Sequence, residues 1–154
     1  MPERDWNGLL STAVHTVLET MFFATPTGPV EPELVAASPL LASRLSFRGD
    51  PSGSLGLCVS MDAARQLAAG FLAEEEADLT DTRVEDVVCE MTNMLCGSVV
   101  SNLENEQRFH LSSPELVPPE DLLLVRPGVR QVARQSFLLE AGSLSVLLDV
   151  VASE

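Results

Sequence analysis

A chain of 154 residues, 45 % of them hydrophobic, fits one domain spanning 1–154 and is long enough to bury a substantial core. Its nine arginines, absence of lysine and net charge of −14 repel nucleic acid and anionic membranes and remove lysine Schiff-base chemistry from consideration. No apolar run approaches the roughly 18 residues of a membrane span. The opening Met1-Pro2-Glu3-Arg4-Asp5-Trp6 lacks the basic region and apolar core of a signal peptide, so a cytoplasmic location is expected.

Trp6, Leu9, Leu10, Ala13, Val14, Val17, Leu18 and Met21 recur at helical spacing and predict a helix over 5–24, packed on a sheet. Thr25-Pro26-Thr27-Gly28-Pro29 stops it, and the stretch to Pro39 reads as loop. A hairpin follows: Leu45 and Phe47 alternate with Ser46 and Arg48, residues 49–53 turn, and Leu55, Leu57 and Val59 alternate on the return. Ser60 is placed to cap a short helix over 61–73. The acidic run at 74–78 reads as a solvated connection. Thr82 and Glu85 have capping-box spacing for a long helix that fades over 102–107. Phe109 and Leu111 begin a strand that Pro114 ends or displaces from regular pairing. Segments 132–140 and 144–151 flank Ala141-Gly142 as a second hairpin. The order predicts an α+β domain, two long helices and a short one packed on one face of a mostly antiparallel sheet.

The long helix has an unusual outer face. Val84, Val87, Val88, Met91, Leu95 and Val99 form its core stripe, and Asp86, Glu90, Asn93 and Gly97 gather opposite, within an arc of roughly 60°. Asp86 sits in the first half of the helix, where negative charge is mildly stabilising; Glu90 lies farther in, where that effect has faded. Asn93 adds nothing to packing on an exposed face. Gly97 costs about 1 kcal/mol relative to Ala and requires either a close neighbour or an indifferent background. Cys89 and Cys96 share one flank of this helix. With Cys58 they make an odd set without a C-x-x-C, and neither His15 nor His110 stands at ligand spacing, so small buried hydrophobes are expected rather than metal ligands. No phosphate loop, Ser-His-Asp constellation or His-rich ligand set is evident.

The pattern Asp86-x-x-x-Glu90-x-x-Asn93, followed after 20 intervening residues by Pro114, closely resembles the signature of the CheC/CheX/FliY phosphatases of bacterial chemotaxis. Locally, Glu90-Met-Thr-Asn93-Met-Leu-Cys-Gly97 looks most like the CheX branch. The resemblance covers nearly the whole chain and is strongest in the motif helix. It implies a CheX-like fold of pseudo-repeated halves that leaves the polar stripe free. Glu19-Thr20-Met21-Phe22 repeats the frame of the motif with Phe in place of the amide, which implies one site per chain.

The activity implied is hydrolysis of the aspartyl-phosphate of a CheY-like response regulator. By residue-wise transfer, Asn93 holds a water in line with the phosphorus and Glu90 pairs with the regulator's active-site lysine. Asp86 and Pro114 match the pattern and shape or support the site; Gly97, one turn beyond Asn93, is a candidate read from the helix itself for letting the partner approach. No cofactor of the chain's own is implied, since the regulator brings the Mg²⁺. The alternative is a binding module, akin to flagellar switch components, that docks a regulator without hydrolysis. A homodimer through a sheet edge also fits a CheX-like protein, with the strand over 144–150 as the candidate edge.

Overall fold

Asp5 opens the first helix: its carboxylate accepts the Gly8 N–H at 3.0 Å, satisfying a donor that a helix start leaves free, and α1 runs Trp6–Met21. This is the first element of a computed structural model that describes residues 4–31, 39–103, 108–124 and 126–152. Leu10, Ala13, Val14, Val17 and Leu18 bury the inner face of α1. Phe22 ends it, buried and stacked on Phe71 with ring centroids 4.9 Å apart. The position where the Glu19 frame would need an amide is therefore a core aromatic.

Four residues of the stretch expected to be loop form strand β1, Thr27–Val30, paired antiparallel with a strand near the C-terminus. Its Gly-Pro content hid it. Pro29 has no N–H to give a ladder, which an edge strand tolerates. The first hairpin is β2, Leu40–Arg48, and β3, Gly53–Ser60, in the register Leu45↔Leu55, with Ser52 closing the turn onto the backbone of Gly49. Helix α2, Met61–Leu72, follows at once. Ser60 stands at its cap position, but its hydroxyl accepts the Ser143 N–H at 3.1 Å instead of capping.

The acidic connection is held rather than simply solvated. Arg65 donates to the carbonyls of Glu76 and Leu79, each at 3.0 Å, and Glu74 forms an ion pair with Arg83. With Leu79 fixed and buried, the next residue becomes the cap: Thr80 Oγ1 accepts the Arg83 N–H at 3.2 Å and α3 runs Asp81–Ser101. The helix thus starts before Thr82, and the Thr82/Glu85 capping box does not form. Of residues 102–107, where the helix is expected to fade, Asn102 is the C-cap of α3 and 104–107 lie outside the described residues.

Two short strands, β4 at His110–Leu111 and β5 at Glu115–Val117, both pair with β2. Pro114 lies in the break between them, after Ser112 has donated its N–H to the Ser46 carbonyl at 2.8 Å. The second hairpin is β6, Val129–Leu139, and β7, Gly142–Val151. The seven strands order as β1-β6-β7-β3-β2-β4, with β5 also on β2, and all of these pairings are antiparallel. β7 is therefore interior, bonded to β6 on one side and β3 on the other. Its apolar alternation, taken as a candidate edge for dimerisation, is the signature of burial against the helices.

The three helices cover one face of this sheet, where Leu55, Leu57, Phe137, Leu144, Val146 and Leu148 meet the inner stripes of α1, α2 and α3. On the other face Ala42, Leu122 and Leu147 form a small cluster under a 3₁₀ turn at Pro119–Leu123. The observed cap of α3 sets a direct test by chemical denaturation. Thr80→Ala lowers stability by about 1 kcal/mol, whereas Thr82→Ala changes it by no more than about 0.5 kcal/mol.

Candidate functional site

Helix α3 separates its residues by face. Val84, Val87, Val88, Met91, Thr92, Leu95, Cys96 and Val99 are buried, with Thr92 returning its hydroxyl to the Val88 carbonyl at 2.9 Å. Asp86 and Glu90 are exposed on the opposite side, and Asn93 and Gly97 are half-buried beside them. The four residues thus stand together on a rigid helix, directed away from the sheet. Among the described residues, neither Glu90 nor Asn93 has a side-chain hydrogen bond or ion pair. Arg83, three residues before Asp86, is engaged by Glu74 instead. The carboxylates and the amide are consequently free to take partners from outside.

Pro114 reaches the same region through topology, because β4 and β5 flank α3 along the β2 edge. It is half-buried, in the break between those two strands. Sequence pattern assigned no role to Leu116 or Ser43; only the register β2/β5, Ser43↔Leu116, brings them beside the helix. The Ser43 hydroxyl donates to Cys89 Sγ at 3.7 Å.

Gly97 is resolved by contrast with another helical glycine. A Cβ at Gly70 in α2 would stand 2.9 Å from the Phe22 carbonyl oxygen, so that glycine serves internal packing. A Cβ at Gly97 would meet nothing within 4 Å. The fold itself does not require glycine there.

The cysteines carry no sign of activation. Burial pushes the Cys96 thiol up to about 12. Burial also raises Cys89, opposed by the Ser43 hydrogen bond and reinforced by the neighbouring Asp86 and Glu85 carboxylates. Both are held as thiols, the wrong form for a nucleophile or a ligand. Among the described residues, no group of three or more His, Cys, Asp or Glu side chains is placed to hold a metal, and no helix is long and apolar enough to cross a membrane.

Two clefts, of about 670 and 490 Å³, are lined by Ser46, Arg48, His110 and Ser112 in one case and by Arg4, Asp5, Gly8 and Asn102 in the other. Neither includes Asp86, Glu90 or Asn93. The polar stripe thus lies outside both clefts, on the outer face of α3. It suits insertion into another molecule better than enclosure of a small one.

The family model for the chemotaxis phosphatase CheX matches residues 41–138, a span that contains Asp86, Glu90, Asn93, Gly97 and Pro114. Solved structures extend the likeness to the whole fold. CheX from Vibrio vulnificus is 17% identical, with 96% of this chain and 97% of that chain covered and a TM-score of 0.72. The CheX chain of a CheX–CheY–BeF3–Mg²⁺ complex from Borrelia burgdorferi is 18% identical over 97% of this chain and 100% of that chain, with a TM-score of 0.73. FliY from Thermotoga maritima is 16% identical over 94% and 84%, with a TM-score of 0.54. No curated protein sequence matches the chain.

Because the space around Gly97 is open, Gly97→Ala should stabilise the protein by about 1 kcal/mol, raising its midpoint by about 2–4 °C in a thermal melt. A fall in the midpoint would show that the position is crowded.

Proposed function

The chain belongs to the CheX family, and on that premise we propose that it hydrolyses the aspartyl-phosphate of a CheY-like response regulator. The observation that carries this reading is the Glu90–Asn93 pair, which among the described residues has no side-chain partner and lies outside both clefts on the outer face of α3. The regulator contributes the other half of the site, namely the phospho-aspartate, its Mg²⁺ and a lysine.

In the docked complex Asn93 enters the regulator's site. Its amide both donates and accepts hydrogen bonds, so it can hold one water with an oxygen lone pair aimed at phosphorus, opposite the aspartyl oxygen. Water attacks, the P–O bond to the aspartate breaks, and the products are inorganic phosphate and the free carboxylate. A loose phosphoryl-transfer transition state asks little covalent chemistry of the protein, so positioning supplies the gain. Glu90, one turn earlier on the same face, pairs with the lysine and fixes the register of docking. Asp86 continues the acidic stripe, Pro114 shapes its border, and Gly97 leaves room for the partner's backbone one turn beyond the amide.

The phosphorylated regulator is the partner in this scheme, and the reaction is placed in the cytoplasm. A homodimer would pair through β1 or the β4/β5 edge, since β7 is interior.

The test is the decay of phospho-aspartate on CheY-like regulators, with and without the protein. Wild type accelerates decay, and Asn93→Ala loses at least about a hundredfold of that acceleration. Glu90→Ala also slows it while leaving stability within about 0.5 kcal/mol, because the side chain is exposed and unpaired. Wild-type rates in Asn93→Ala would contradict the role of the amide. Binding without any acceleration by the wild type would instead identify a docking module.

In the same assay Gly97→Ala is expected to be slower than wild type despite its greater thermal stability. Unchanged activity would remove Gly97 from the docking surface.

A further inference from the structure

We propose that Leu116 is a docking residue for the regulator, forming the apolar flank of the surface whose chemistry belongs to Glu90 and Asn93. The proposal rests on the phosphatase reading and names a contact for that same site. Leu116 lies on β5, at the edge of the sheet, with 42% of its surface exposed.

The register fixes the side on which it stands. Ser43 points toward α3, because its hydroxyl reaches Cys89 Sγ at 3.7 Å. Residues directly opposite in an antiparallel pair share a face. Leu116 is the partner of Ser43, so it rises on the helix side of the sheet, one strand out from the serine that touches Cys89. Val117, the next residue, turns to the other face and packs with Ala42 and Leu122.

Cys89 then links this leucine to the polar stripe. It lies three residues after Asp86 and four before Asn93, the spacings that make neighbours on a helix surface. A continuous surface therefore runs from the Asn93 amide across a half-buried thiol to an exposed leucine.

Binding energetics give such a leucine a purpose. Exposed ion pairs of the kind Glu90 would form contribute about 0–1 kcal/mol, and an amide that works only in the transition state contributes little to ground-state affinity. Affinity for a protein partner is concentrated in a few well-packed, desolvated side chains. Leu123 and Leu124 are also exposed, but they end and follow the 3₁₀ turn that covers the opposite face of the sheet. Leu116 is the exposed leucine whose register places it beside the stripe.

The experiment compares wild type, Leu116→Ala, Leu116→Met and Leu123→Ala in two measurements: affinity for the regulator held in its beryllofluoride-activated state, and saturation kinetics of phospho-aspartate decay. Leu116→Ala should weaken affinity and raise KM by about five- to tenfold with kcat unchanged, the pattern of lost uniform binding. Leu116→Met should restore most of the loss, and Leu123→Ala should match wild type. Unchanged affinity in Leu116→Ala, or an equal loss in Leu123→Ala, would overturn the proposal. A wild type that binds but does not accelerate decay would contradict the phosphatase reading, while the affinities would still decide whether Leu116 docks the regulator.

Discussion

The structure depends on the packing of α3 against the sheet. Eight buried side chains along one side of that helix fix its rotation, and a helix locked on one stripe has no freedom in where its other stripe points. The polar residues are therefore oriented by the core rather than by contacts of their own. This is why Glu90 and Asn93 can stand without partners in the described structure and still be held in a defined direction. A site on a loop would have to organise itself on binding; this one has its orientation set by the same apolar burial that stabilises the fold.

The cap and the sheet edge supply the remaining constraints. Arg65 holds the carbonyls before the helix, and Thr80 then sets its first turn. The Ser43–Cys89 contact ties the middle of the helix to β2. Because β4 and β5 add to β2 on its outer side, the proline between them is carried to the flank of α3 from a distant part of the sequence. Local pattern, helix capping and long-range pairing thus converge on one surface.

Much of this was legible in the sequence because periodicity reports burial directly. The inner and outer faces of α3 follow from a 3.6-residue repeat, and the structure places Asp86, Glu90, Asn93 and Gly97 on one side as that repeat requires. The alternation in Leu144, Val146, Leu148 and Val150 correctly marked a strand but not its position: alternation records which face is buried and says nothing about which neighbours take the backbone bonds. β1 was lost because four residues containing Gly and Pro carry almost no strand signal. The true cap was missed because two threonines stand two residues apart, and the choice between them is made by Arg65, a residue of another helix. Leu116 acquires its place beside the site only through a register that no local pattern encodes.

The role we propose for the Asn93 amide is to enter a partner's active site. A structure of the protein bound to its regulator, with beryllofluoride standing for the phosphoryl group, tests this most directly. In that complex the amide should lie within about 3 Å of a water in line with the beryllium and the aspartyl oxygen. A complex in which the regulator's phosphorylation site faces another surface, with Asn93 left in solvent, would contradict it.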